Sequence, residues 1–335
     1  MDSSIIITFA IPIFFGLILI EFFYGVITKQ NNYRINDAIT SMSLGLISRF
    51  VPILGLGFQY VVYKAVAEHY NLKLLSGEEI WVWVTAFILY DICYYWMHRI
   101  HHEIKVFWAT HVVHHHGEEF NLATALRQTS TGFLWKWVFF LPLFIIGIPP
   151  QMYVTVAGLN LVYQFWVHTE HIGRLGFLEY IFVTPSNHRV HHAQNEDYLD
   201  ANYGGVFILW DRLFGTFIDE RSDLKPVYGT VKPLKSFNPF WANIEVFYQM
   251  IFDSYHTEKF TDKIRVWFSP PNWRPEDVSM KYPIDKNDLS SFEKYDPNIS
   301  LREKIFAGAQ FTVINLMTIV MLFNVQNYIY SEIIS

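Results

Sequence analysis

Apolar residues run along this chain in long, nearly unbroken blocks rather than at the spacing of a half-buried surface helix. Ile5 to Ile27 carries Glu21 as its only charge, and at 1.5 Å per residue it is long enough to cross a hydrocarbon core of roughly 30 Å. Comparable blocks run from about Leu44 to Val62, Ile80 to Met97, Phe133 to Ile148, Met152 to Val167 and Phe306 to Val325. The pattern predicts an all-α fold, a polytopic membrane bundle of four to six transmembrane helices. The range arises because the fourth and fifth blocks are short and only Pro149, Pro150 and Gln151 separate them, which suits a tight hairpin that does not cross fully. The first block follows Asp2 rather than a basic segment and lacks a small-residue cleavage pattern, so it is expected to stay as an anchor.

The blocks divide the chain into N-terminal membrane helices (1–79), a histidine-bearing core (80–218), a Pro-rich polar cap or tail (219–304) and a C-terminal membrane helix (305–335). If all six blocks cross, segments 28–43, 98–132 and 168–305 share one side, and that side holds most of the 25 Lys and Arg residues. The positive-inside rule makes it the cytoplasm. The expectation is an integral multi-pass protein with a cytoplasmic centre, in the endoplasmic reticulum of a eukaryote or the inner membrane of a bacterium.

Composition agrees with a membrane setting: charged residues make up 17% of the 335 residues, against roughly 25% in a typical soluble domain. A net charge of -6 with mixed signs offers no basic field for nucleic acid. The single cysteine, Cys93, excludes an intrachain disulfide and a cysteine-ligated metal cluster. Of the 14 histidines, ten fall in two windows, 98–116 and 188–192, and candidate chemistry concentrates there.

His98 and His102 are four apart and so stack on one helix face, while His111, His114 and His115 follow the i, i+3, i+4 pattern that His188, His191 and His192 repeat. Eight imidazoles in three such clusters exceed the four ligands of a zinc site and suit two borderline metals held together. Iron in such a nitrogen-rich site can activate dioxygen, which redox-inert zinc cannot; calcium and magnesium prefer oxygen ligands. His69, His101, His116, His171 and His256 lie outside this pattern and read as structural. With Lys136 assigned to the edge of the loop adjoining its block, three charges fall inside apolar blocks: Glu21, Arg49 and Asp91. For the first two, helix-to-helix pairing or snorkelling is an adequate reading. Asp91 lies two turns before His98 on the same face, where a carboxylate can orient a ligand.

The boxes HRIHH, HVVHH and HRVHH, placed after apolar helices, resemble the fatty acid hydroxylase or sterol desaturase superfamily of membrane di-iron oxygenases. The flanking text, including FWATHVVHH, NLATALRQT, FWVHTE, TPSNHRVHH and NYGGVFILWDRLFGTF, is similar to the alkylglycerol monooxygenase branch over roughly residues 80–275. The resemblance implies metal ligation by His98, His102, His111, His114, His115, His188, His191 and His192. It adds His168, in HTE, as a further ligand, and Glu103 as a carboxylate with a supporting role at the metal. Asn187 stands where that family often has another histidine, and His116 replaces a small polar residue. What is implied is a pair of iron ions, dioxygen, a membrane lipid substrate and an external electron donor, for which the branch uses tetrahydrobiopterin.

A second reading keeps the di-iron core and makes the substrate a sterol, fatty acyl or carotenoid chain. A third makes the chain a histidine-rich zinc transporter or metal store. Transport favours ionisable ligands near midmembrane, whereas these clusters follow the apolar blocks.

Overall fold

The computed structural model describes residues 3–51, 58–75, 77 and 79–324. The regular structure among these residues is helical with no strand, and β-type pairing is limited to two isolated bridges, Phe182 with Phe207 and Ala193 with Tyr228. The membrane-like half contains α1 (Ser3–Thr28), α2 (Ile35–Val51), α3 (Gln59–His69) and α4 (Ile80–Glu103). Short helices α5 (Lys105–Trp108) and α6 (Val112–His115) follow, then α7 (Leu141–Ile146) and α8 (Pro150–Trp166). Next come α9 (Pro185–His191), α10 (Leu209–Phe214), α11 (Pro239–His256), α12 (Phe260–Phe268), α13 (Glu276–Lys281) and α14 (Leu301–Asn324).

Among the described residues α4 alone is long and apolar enough to cross a membrane. It continues past Met97 without a break, so His98 and His102 ride on the same helix, as their spacing predicts. The block from Leu44 to Val62 is shared by the end of α2 and the start of α3, and residues 52–57 between them lie outside the described residues. The last block is carried by α14, and Val325 onward also lies outside them.

The block from Phe133 to Ile148 differs from the expected continuous helix. It is made of two 3-10 turns, Gly132–Leu134 and Lys136–Phe140, followed by the six-residue α7. The cause lies partly at its end, where Gly147 adopts a φ of 119° and stops α7. The carbonyls of Ile145 and Ile146, which a continuing helix would use, accept instead from the backbone of Leu72, Leu74 and Leu75 at 2.7–3.0 Å. Glycine suits this position because a side chain there meets both an unfavourable left-handed backbone and the Leu75 nitrogen.

A dry cluster of Tyr63, Val82, Tyr90, Met97, Phe144 and Met152 joins α3, α4, α7 and α8. Glu21 joins α1 to the histidine layer: its carboxylate accepts from the Leu122 nitrogen at 2.7 Å, from Thr169 Oγ1 at 2.5 Å and from the Tyr33 hydroxyl. Within the Pro-rich stretch 219–304, the N-terminus of α11 is capped by the Asn238 side chain with Pro239 in the first turn. The prolines of that stretch therefore leave room for an 18-residue helix. The backbone nitrogen of Lys105, just after α4, donates to the Ser269 carbonyl at 2.9 Å, seating the cap beside the end of α4.

Candidate metal centre

Four short stretches converge on one buried layer. α4 supplies His98 and His102; the α5 to α6 segment supplies His111, His114 and His115; the end of α8 leads directly to His168; and α9 ends in His188, His191 and His192. Helix α9 starts sharply because Thr184 and Asn187 form a reciprocal capping box and Pro185 occupies the first turn. Arg189 then clamps it, donating to Glu220 at 2.7 and 2.8 Å and to the carbonyls of Thr169 and Ile172 just beyond His168.

The side chains sort into two groups. His98, His102, His111, His115 and His191 bring ligand atoms within 4.8 Å of one another, and so do His114, His168, His188 and His192. The groups adjoin: the rings of His115 and His192 stack with centroids 4.4 Å apart. All nine histidines picked out from the sequence are thus in one layer, divided five and four. Glu103 is not among them; it pairs with Arg99 at 2.7 Å and keeps 45% side-chain exposure.

Donor chemistry tests whether such a layer fits metal ions. Four rings direct Nδ1 at backbone carbonyls: His98 at Tyr203 (2.8 Å), His114 at Arg127 (3.1 Å), His168 at Gln164 (2.8 Å) and His191 at Ala201 (2.9 Å). A carbonyl only accepts, so each Nδ1 carries the proton and each Nε2 presents a lone pair. Those Nε2 atoms converge. That of His98 lies 2.9 Å from His111 Nε2, and that of His168 lies 2.9 Å from His188 Nε2 and 3.2 Å from His114 Nε2. In the trio of His114, His168 and His188 the tautomer of two rings leaves lone pairs facing one another, an arrangement that a shared cation satisfies and hydrogen bonding alone does not. The buried Nε2 atoms of His102 and His191 have no hydrogen-bond partner among the described residues. The donor set fits two nitrogen-ligated metals.

Electrostatics favour the ligating form. Burial first, and neighbouring imidazoles second, hold His111, His114, His115, His188 and His192 well below the usual histidine value. Burial pushes His168 down to about 3 and His191 to about 4. The imidazoles are neutral at pH 7.

Asp91 does not touch His98. It is fully buried and accepts from Val206 N, Phe207 N, Trp210 Nε1 and Asn160 Nδ2 at 2.8–2.9 Å. Asp211 accepts from the nitrogens of Tyr203 and Gly204 at 2.7 and 2.8 Å. Together they hold the loop whose Tyr203 carbonyl fixes His98, so the carboxylate works on the ligand through a loop rather than directly. Arg127 is fully buried. Its Nε donates to the Val113 carbonyl at 2.8 Å, its guanidinium faces Asp37 at 3.5 Å, and its own carbonyl orients His114.

The outlying histidines belong to neither group. His101 donates to the Met97 carbonyl and packs against Phe107 and Phe139; His69 and His256 bond to carbonyls one turn back. Asn187 serves the α9 cap and is not a ligand.

A cavity of about 650 Å³ reaches this layer, touching His111, His114 and His168. Its wall is largely apolar and aromatic, with Phe14, Leu46, Tyr63, Tyr90 and Phe165. The sequence offered no direct signal for it, because its lining comes from separate stretches of chain spread from Phe14 to Asn315.

Residues 83–216, the stretch that holds all nine histidines, match the fatty acid hydroxylase family. The chain carries a fatty acid hydroxylase domain. It is 38% identical to alkylglycerol monooxygenase of Xenopus tropicalis over 85% of this chain and 63% of that protein. It is 40% identical to the human alkylglycerol monooxygenase over 79% of this chain and 59% of that protein. Similarity extends to ornithine lipid hydroxylase OlsE of Rhizobium tropici, 28% identical over 40% of this chain and 41% of that one. The chain spans about three-fifths of the length of these alkylglycerol monooxygenases. No solved structure matches it.

Proposed function

We propose that this protein is an integral-membrane, di-iron, dioxygen-dependent lipid monooxygenase, and that its substrate is an alkylglycerol or a related ether lipid. The observation that supports it most is the meeting of nine inward-facing imidazoles with the end of an apolar cavity. One iron would be held by His98, His102, His111, His115 and His191, the other by His114, His168, His188 and His192. Iron in this nitrogen set, once bound, supplies the reductive activation of dioxygen that hydroxylation requires.

The residues of the chain do the positioning. Backbone carbonyls of Tyr203, Arg127, Gln164 and Ala201 fix ring orientation and tautomer. The aromatic wall aligns an alkyl chain and excludes water. Insertion of one oxygen atom at the carbon beside the ether oxygen, with two electrons and two protons taken up and one water released, gives a hemiacetal. That product separates into a fatty aldehyde and a glycerol derivative. The electrons come from an external donor, and tetrahydrobiopterin is the donor that the similarity to alkylglycerol monooxygenases suggests. The centre faces the cytoplasm and several helices besides α4 cross the bilayer, in keeping with the distribution of Lys and Arg.

Iron-loaded, detergent-purified protein is expected to release fatty aldehyde from an alkylglycerol only when both dioxygen and tetrahydrobiopterin are supplied. Aldehyde absent with alkylglycerol, but hydroxylated product formed from a sterol or fatty acyl lipid, would transfer the reading to that substrate.

A further inference from the structure

The cavity that meets the histidine layer carries two cations, Arg49 and Lys136, and no carboxylate among the described residues that line it. Neither cation has an ion-pair partner within 4.0 Å among the described residues. A wall otherwise built for an alkyl chain gains nothing from an unneutralised ammonium, which is costly to hold away from water. The two charges also sit apart. Arg49 is twelve positions along α2 from Asp37, the residue beside Arg127, a rise of about 18 Å. Lys136 lies near the other end: it opens the turn Lys136–Phe140, whose Phe139 packs against His101, the neighbour of His102.

The surroundings of Lys136 are built rather than accidental. Its Cδ and Cε lie over Gly132, where even a Cβ would come within 3.1–3.2 Å of them. On the same wall Ser130 has a buried hydroxyl with no hydrogen-bond partner among the described residues. The Ser130 segment is held in place from the cap: its backbone nitrogen donates to Asn243 Oδ1 of α11 at 2.8 Å. A cation and an unused hydroxyl donor therefore line the same largely apolar cavity, which reaches the histidine layer. That combination recognises an oxyanion.

We infer that Lys136, with Ser130, selects a lipid whose head group carries an oxyanion of the phosphate class, over the neutral lipid with the same alkyl chain. The inference rests on the lipid monooxygenase reading above and narrows its substrate. Oxidation beside an ether oxygen places the head group within a few bonds of the reacting carbon. A charge at the metal end is therefore where a head-group contact belongs, and the chain extends along the aromatic wall.

Binding is measured on the iron-loaded protein without dioxygen, so that no turnover intervenes, for O-hexadecylglycerol, O-hexadecylglycerol phosphate and hexadecyl phosphate. The wild type is expected to hold the phosphate-bearing ether lipid about tenfold more tightly than the neutral one, the size of one charge-assisted hydrogen bond. Lys136→Met should bring the two within about twofold, and Lys136→Arg should keep the preference; iron content equal to wild type marks the variants as folded. Equal binding of both ether lipids by the wild type, or a preference that survives in Lys136→Met, overturns the inference while leaving the ether-lipid reading intact. Binding of hexadecyl phosphate with neither ether lipid bound supports the oxyanion site and overturns the ether-lipid reading. If none of the three is bound, both fall.

Discussion

His98 donates its Nδ1 proton to the carbonyl oxygen of Tyr203, a residue 105 positions further along the chain, at 2.8 Å. This one bond sets the tautomer of a candidate metal ligand on α4 from a loop that two buried carboxylates, Asp91 and Asp211, hold. Loop and ring orientation are thereby coupled.

Asp91→Asn tests the coupling. The amide cannot accept all four hydrogen bonds of the carboxylate, and one of its own hydrogens meets a donor. The expected result is a fall in iron affinity of about 10–100-fold, the usual effect of disturbing a group that orients a ligand, with helix content kept. Titration of the purified variant with ferrous iron, followed by circular dichroism, checks both.

Ligand substitutions separate the two groups from the outlying histidines. His114→Ala and His191→Ala, one from each group, should abolish turnover and lower bound iron. His69→Ala, on the exposed end of α3, should change neither. Equal activity in all three would remove the assignment.

Stability of the metal-free protein should fall with acid. His168 and His191 titrate near 3 and 4 in the fold, well below the value of about 6.5 for an unfolded chain. Between those values the unfolded state binds more protons, so unfolding gains as pH drops. Their contribution is complete above pH 6.5 and is lost as pH descends towards 4. Urea midpoints of iron-free protein should hold above about pH 6.5 and decline from there to about pH 5; a flat profile below about pH 6.5 would show that the imidazoles are not buried together.

Gly147→Ala should cost about 1–2 kcal/mol, because φ at this position is 119° and a Cβ would sit 3.0 Å from the Leu75 nitrogen. Thermal unfolding in detergent reads this directly. The metal layer lies elsewhere, so bound iron should be unchanged.

The histidines were legible from the sequence because their geometry is local: spacings of three and four residues place rings on one face before any tertiary contact forms. His168 came from the resemblance of its HTE segment alone, and the fold brings it to the second group through the end of α8. Asp91 was visible as an intramembrane charge, but its partners, Phe207 among them at 116 positions' distance, depend on tertiary folding. The same holds for Lys136 and Arg49, whose shared cavity no periodicity reports. The apolar block at 133–148 misled for the opposite reason. Its hydrophobicity reflects burial against α3 and α8, while Gly147 and the loop at 72–75 set its conformation.

The central claim is that nine histidines hold two irons side by side. Protein loaded with iron-57 and measured by metal analysis and Mössbauer spectroscopy tests it most directly. The expected result is two irons per chain in nitrogen-rich sites, coupled to each other when oxidised. A single iron per chain, or two that remain magnetically independent, would contradict it.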